Sequence, residues 1–155
     1  MADLTHLDSE GRARMVDVGA KPETARVAVA EAHISLSPAA KEALFGGTLP
    51  KGDALAVARI AAIQGAKQTP ILVPLCHPIG IDAISADVEA TESGARVVVR
   101  VEVVAKTGIE MEAITGAAVG AVALYDMVKA VDRGAVIGPV QLLSKTGGKS
   151  GEWSR

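Results

Sequence analysis

Between Ala95 and Lys106, apolar residues fall at every second position, Val97, Val99, Val101 and Val103, with Arg100 and Glu102 among the residues between them. A period of two sends alternate side chains to opposite faces, so the segment predicts a strand with one buried face. A few residues later the period changes. From about Glu110 to Val131, the residues Ile114, Ala117, Ala118, Ala121, Leu124, Val128 and Val131 recur at three- and four-residue spacing, the stripe of a long amphipathic helix. A half-buried strand leading into a half-buried helix requires a layered fold in which sheet and helix cover each other.

The flanking segments extend this pattern. Val27, Val29 and Ile34 mark a strand over 25–36, and Ser37-Pro38 starts a short helix that stops at Gly46-Gly47. A second helix is expected over 51–67, closed by Thr69-Pro70 because the residue before proline disfavours helical geometry. It is apolar on more than one side, which predicts that its second side meets another subunit. Pro74 and Pro78 make 71–78 a stiff loop around Leu75-Cys76-His77. Residues 79–89 and 95–106 pair as an antiparallel hairpin through Thr91-Glu92-Ser93-Gly94, and 137–143 forms a last strand. This order predicts an α+β, ferredoxin-like sandwich, an antiparallel sheet with helices packed on one face. Residues 1–25 are expected to be a mobile N-terminal arm, 26–143 a single catalytic domain, and 144–155 a flexible, basic, glycine-rich segment.

The chain is 49% hydrophobic but has three aromatic residues, Phe45, Tyr125 and Trp153, so its core must be built from Ala, Val, Ile and Leu. Such a core lets elements approach closely. A net charge of −2 and so few stacking residues predict no nucleic-acid partner. No apolar run reaches the ~20 residues of a membrane span, which predicts a soluble, cytoplasmic protein without a membrane partner. The single cysteine, Cys76, excludes an internal disulfide and cysteine-cluster zinc.

Several short patterns could carry chemistry. Asp126 and Lys129 are three apart, so they share a helix face, either as a proton-exchanging pair or as a surface ion pair. In Lys51-Gly52-Asp53 the aspartate suits a helix N-terminus, while Lys51 is either an anion ligand or a solvated lysine. His77, fixed between prolines, suits an acid, base or phosphate donor, or a ring bonded to backbone. Zinc is not expected, since Cys76 and His77 are adjacent while His6 and His33 lie in unrelated segments. Glu110 and Glu112 complement the start of the long helix, and Glu112 lies ~21 Å from Asp126 along it at 1.5 Å per residue. If both are functional, the site is elongated or shared between two subunits. The segment 144–151 (Ser144-Lys145-Thr146-Gly147-Gly148-Lys149-Ser150-Gly151) suggests a phosphate loop, but a Walker A motif needs glycine where Leu143 stands and a long helix after Ser150. A flexible segment able to close over an anion is what survives.

In order along the chain, Met15-Val16-Asp17-Val18, Lys51-Gly52-Asp53, Pro74-Leu75-Cys76-His77-Pro78, Lys106-Thr107-Gly108-Ile109-Glu110-Met111-Glu112-Ala113, Tyr125-Asp126-Met127, Ile137-Gly138-Pro139-Val140 and the 145–151 segment together resemble the cyclic pyranopterin monophosphate synthase family over essentially the whole sequence. The resemblance implies a ferredoxin-like fold, a hexamer built as a trimer of dimers, and active sites at the dimer interface. It implies a lyase of molybdenum cofactor biosynthesis acting on (8S)-3′,8-cyclo-7,8-dihydroguanosine 5′-triphosphate and releasing cyclic pyranopterin monophosphate and pyrophosphate. The family's acid/base aspartate falls on Asp126, with lysine partners on Lys51 and Lys129. Substrate contacts fall on Leu75, Cys76, His77, Met111 and Glu112, with Arg26, Lys67, Glu110 and Lys145 as further pocket members. No cofactor is required on this reading, although a divalent ion could accompany the triphosphate or pyrophosphate. Proton transfer is expected to use lysines whose pKa values are lowered by each other and by burial. An anion-sensing module and a phosphate-releasing hydrolase are the alternatives, separated from the synthase by turnover and by activity on GTP itself.

Overall fold

The structure, a computed structural model, describes residues 6–8, 10–149 and 151–155. In chain order it contains β1 (Thr24–Ser35), α1 (Pro38–Phe45), α2 (Ala54–Lys67), α3 (Thr69–Leu72), β2 (Ala83–Thr91), β3 (Gly94–Ala105), α4 (Glu110–Val128), β4 (Val136–Thr146) and β5 (Trp153–Ser154). The strands form one sheet in the order β2-β3-β1-β4-β5, with antiparallel neighbours throughout. This is the expected ferredoxin-like α+β arrangement, extended by β5.

The period of two decides which sheet face is buried. Ala28, Ala30, Ala32 and Ile34 of β1 and Ala95, Val97, Val99, Val101 and Val103 of β3 are buried, and so are Ala113, Ala117, Ala121, Leu124 and Val128 of α4. The shortage of aromatics has a direct consequence in the α2–α4 contact. A Cβ built on Gly120 would stand 2.8 Å from Val97 Cγ1 and 3.0 Å from Ala62 Cβ, and one on Gly116 would stand 2.9 Å from the Ala62 carbonyl oxygen. The helices therefore meet nearly backbone to backbone, at a separation that side chains larger than Ala would not allow. Contrary to the sequence expectation, α4 has the length and apolar composition a membrane span needs, but half of its most apolar window is buried within the fold.

Element ends moved where polar groups intervene. The first helix starts and stops as expected, with Ser37 Oγ accepting from the Ala40 N–H. Asp53 caps α2 by accepting from the Ala56 N–H at 2.9 Å. Pro70 does more than close α2: it sits in the first turn of α3, where proline is tolerated, so the stiff loop starts at Val73 rather than Ile71. Residues 79–82 stay out of β2 because the Asp82 carboxylate itself accepts the Val104 N–H at 2.8 Å. The hairpin turn is tight, and Gly94 is required there: a side chain would collide with the Ile34 carbonyl. The long helix ends at Val128, three residues before its expected end, where the Asp132 carboxylate accepts from the Ser37 and Gly134 N–H groups at 2.7 and 2.9 Å and draws the chain toward α1. The last strand continues through Thr146, paired with Val27, and Trp153–Ser154 folds back onto it, so part of the 144–155 segment belongs to the sheet.

Candidate active site

At the end of the sheet where β1 begins, β3 ends and α4 begins, a cavity of about 760 Å³ opens between six stretches of chain. The loop before β2 supplies Leu75, Cys76, His77 and Ile79. The start of α4 supplies Glu110, Met111 and Glu112, and β1 supplies Thr24 and Arg26. The N-terminal arm adds His6, Val16, Val18, Lys21 and Pro22, the β3–α4 turn adds Lys106, Thr107 and Gly108, and the segment after β4 adds Gly148 and Lys149. Seven of the residues nominated from sequence thus line one cavity: Arg26, Leu75, Cys76, His77, Glu110, Met111 and Glu112.

The side chains are held by specific contacts. Arg26 Nε donates to the Ala105 carbonyl at 3.0 Å, and its guanidinium lies against Gly148, where a Cβ would collide with it. Gly148 also has φ +73°, so both space and backbone select glycine there. His77 Nε2 lies 2.7 Å from the Val16 carbonyl and so donates to it, which leaves Nδ1 available. Lys106 Nζ donates to the Gly19 carbonyl at 2.8 Å, a second tie between cavity and arm.

The two glutamates of the α4 start differ in environment. Burial pushes the Glu110 carboxyl upward, but Lys145 Nζ, 2.7 Å away, and Arg26 outweigh it and hold the pKa below the ordinary value. Glu112 is 2% exposed, and burial, reinforced by the neighbouring Glu110, raises its pKa. Burial, and next Glu112, also push the Cys76 thiol up, which disfavours the thiolate. The cavity therefore offers cations from Arg26, Lys21, Lys106 and Lys149 for phosphate oxygens, and a buried carboxyl at Glu112 for N–H groups.

The remaining nominated residues lie elsewhere. Lys51 and Lys129 each place Nζ 2.7 Å from a different oxygen of Asp126, one from the turn before α2 and one from the end of α4. This cluster is exposed, and ~21 Å of helix separates Asp126 from Glu112. The expectation of lowered lysine pKa values is corrected for Lys129: hydrogen bonding to the Asp126 carboxylate raises it, while Lys129 and then Lys51 hold Asp126 down at about 2. The reason is stoichiometric. One carboxylate lies between two ammonium groups, and the attraction favours the charged forms of Asp126 and Lys129. Lys145 reaches the cavity only through Glu110, and exposed Lys67 lines neither group.

Sequence reading assigned no role to Lys21 or Lys106. The signal that could have found them is strand pairing: Thr24 lies opposite Ala105, so residues just before 24 and just after 105 must meet at one end of the sheet. It also treated His6 as unrelated to His77, whereas both line the cavity. Ser150 lies outside the described residues. Among the described residues, no group of three or more His, Cys, Asp or Glu side chains is arranged to hold a metal ion.

The model of the MoaC family matches residues 15–148. A cyclic pyranopterin monophosphate synthase of Thermomicrobium roseum is 52% identical, over 100% of this chain and 95% of that protein. Proteins of the same name are 51% identical in Streptomyces avermitilis, over 98% of this chain and 89% of theirs, and 51% identical in Corynebacterium efficiens, over 99% of both.

Proposed function

The chain belongs to the MoaC family, and on that premise we propose how its two residue clusters divide the work of one reaction. The activity is that of a cyclic pyranopterin monophosphate synthase, a lyase of molybdenum cofactor biosynthesis. It converts (8S)-3′,8-cyclo-7,8-dihydroguanosine 5′-triphosphate to cyclic pyranopterin monophosphate and pyrophosphate.

The observation that carries the site assignment is the gathering of Arg26, His77, Glu110, Met111 and Glu112 from distant parts of the sequence around one cavity. In this reading Arg26, Lys21, Lys106 and Lys149 neutralise the triphosphate with His77 beside them, Lys145 acts through Glu110, and Glu112 bonds to N–H groups of the guanine-derived ring, with Leu75, Cys76 and Met111 packing on it. Lys67 meets the leaving group only where copies assemble, since on one chain it does not line the cavity. A sugar hydroxyl oxygen attacks the α-phosphorus, the bond to pyrophosphate breaks, and the hydroxyl proton passes to a base. Asp126, Lys51 and Lys129 carry the proton transfers of ring opening and pterin formation. No cofactor is required, and a divalent ion could travel with the triphosphate or pyrophosphate.

Asp126 and the cavity are too far apart on one chain to act on one ring, so the cluster of one copy serves the cavity of another. Apolar side chains on the outside of the helical layer support such an assembly: Ile60, Ile71, Leu72 and Val122 are 57–76% exposed. A hexamer arranged as a trimer of dimers is the form we propose. A cytoplasmic place of action is part of the same proposal, supported by the unpaired thiol of Cys76.

The test gives the freshly prepared cyclised triphosphate to the wild-type protein and to Lys51→Ala, following pyrophosphate and pterin together. Both products from wild type and neither from Lys51→Ala is the expected result. Full turnover by the variant would remove Lys51 from the mechanism, and a wild-type protein that binds the intermediate unchanged would be an anion-sensing module.

A further inference from the structure

β4 changes face in mid-strand. Gln141 lies opposite Glu31 and donates to it at 2.7 Å on the sheet face away from the helices, and Leu142 lies opposite Ala30. The next pairing is Ser144 with Val29, so Leu143 is an extra residue without a partner on β1. In an uninterrupted strand, Lys145 would share the face of Gln141, four residues earlier. The extra residue reverses that parity. Lys145 lies opposite buried Ala28, on the helix side, and reaches Glu110 at the start of α4.

The carbonyls beside the bulge are taken up from one place. The Arg155 N–H donates to the Leu143 carbonyl at 2.9 Å, and Arg155 Nε donates to the Leu142 carbonyl at 3.2 Å. Trp153 and Ser154 pair with Lys145 and Ser144, the residues just after the bulge. Residues 153–155 thus bracket a four-residue stretch of β4 from its free edge, with two Arg155 hydrogen bonds added to the strand pairing of Trp153 and Ser154.

We infer that the bulge at Leu143, held by Trp153–Arg155, is the positioning device that turns Lys145 toward the substrate cavity and keeps Glu110 paired in its wall. Lys145 and the bulge act here through Glu110, which lines the cavity. The inference rests on the synthase reading only for its kinetic test.

Its test uses the full chain, a chain ending at Glu152, Lys145→Met, and the combination of the last two, with circular dichroism to establish folding. The expected result is a loss in kcat/KM on the order of 10²-fold for the truncation, carried mainly by KM, with no further loss when Lys145→Met is added. Multiplying losses would show that residues 153–155 act independently of Lys145 and would overturn the inference, as would a truncation with wild-type kinetics. An NMR titration of the Glu110 carboxyl separates this from the synthase reading, because it needs no turnover. The truncation should raise the Glu110 pKa as Lys145→Met does, and an unchanged titration overturns the inference even if the synthase activity stands. Should the shortened chain fail to fold, Arg155→Met replaces it in both measurements, with Arg155→Lys expected to recover part of the effect.

Discussion

The closeness of α2 and α4 makes a quantitative prediction at Gly120. A methyl group there would stand 2.8 Å from Val97 Cγ1 and 3.0 Å from Ala62 Cβ, about half an ångström or more inside ordinary carbon contact. Overpacking of this kind costs about 1–3 kcal/mol, and replacing a helical glycine by alanine returns about 1 kcal/mol of propensity. Gly120→Ala should therefore destabilise by about 1 kcal/mol. Val97 is fully buried, and Val97→Ala removes two methyl groups, at a cost of about 2 kcal/mol including the void. In the double variant the new methyl occupies the space the valine leaves, so the pair should cost about 1 kcal/mol rather than about 3, a coupling of about 2 kcal/mol. At fixed protein concentration, thermal melts followed by far-ultraviolet circular dichroism should separate the double variant from the additive expectation by ~4–8 °C. Additive shifts would refute the claim that the methyl meets Val97. Because Lys51 precedes α2 and Asp126 lies on α4, Gly120→Ala should also lower turnover more than its stability loss explains.

Three further outcomes follow from the site. The Asp126 carboxyl should titrate at about 2 and move up toward 3.8 in Lys129→Met; since its folded pKa is depressed, the stability it contributes is present above 3.8 and lost as pH falls through about 2, which acid unfolding of the two proteins can compare. Glu112→Gln should raise the melting temperature at pH 7, because a raised folded pKa gives stability below the unfolded value of 4.5 that is lost as pH rises through the folded one, and the same change should cut kcat/KM on the order of 10²-fold; a lower melting temperature would contradict the assigned environment. Asp126→Asn and His77→Ala should each lose about 10²–10⁴-fold in rate, yet regain measurable turnover when mixed after unfolding and refolding together; no recovery would mean that cluster and cavity act within one chain.

The period-two and three-to-four-residue patterns carried the sheet, the long helix and their contact, because both follow from burying one side of an element. Boundaries were less legible where one carboxylate competes with backbone pairing. Asp82 shortens β2 and Asp132 bends the chain beyond α4, and neither effect is periodic. At the site, the resemblance located seven residues of the cavity but not Lys21 or Lys106, and not the partners that hold them. The Lys106 and His77 ties to arm carbonyls are contacts between segments 61 or more residues apart, and nothing local in the sequence encodes them. The orientation of Lys145 was hidden for a different reason: one unpaired leucine in β4 inverts every later side chain, and strand parity counted from the sequence does not register it.

Trp153 is the single tryptophan, it is 41% exposed, and it sits in β5 beside the bulge rather than in the core. Its emission therefore reports whether residues 153–155 are docked and is nearly blind to the aliphatic interior. A fluorescence melt and a circular dichroism melt of this protein record different events, and noncoincident midpoints would measure the local stability of one short edge strand rather than a folding intermediate of the whole chain.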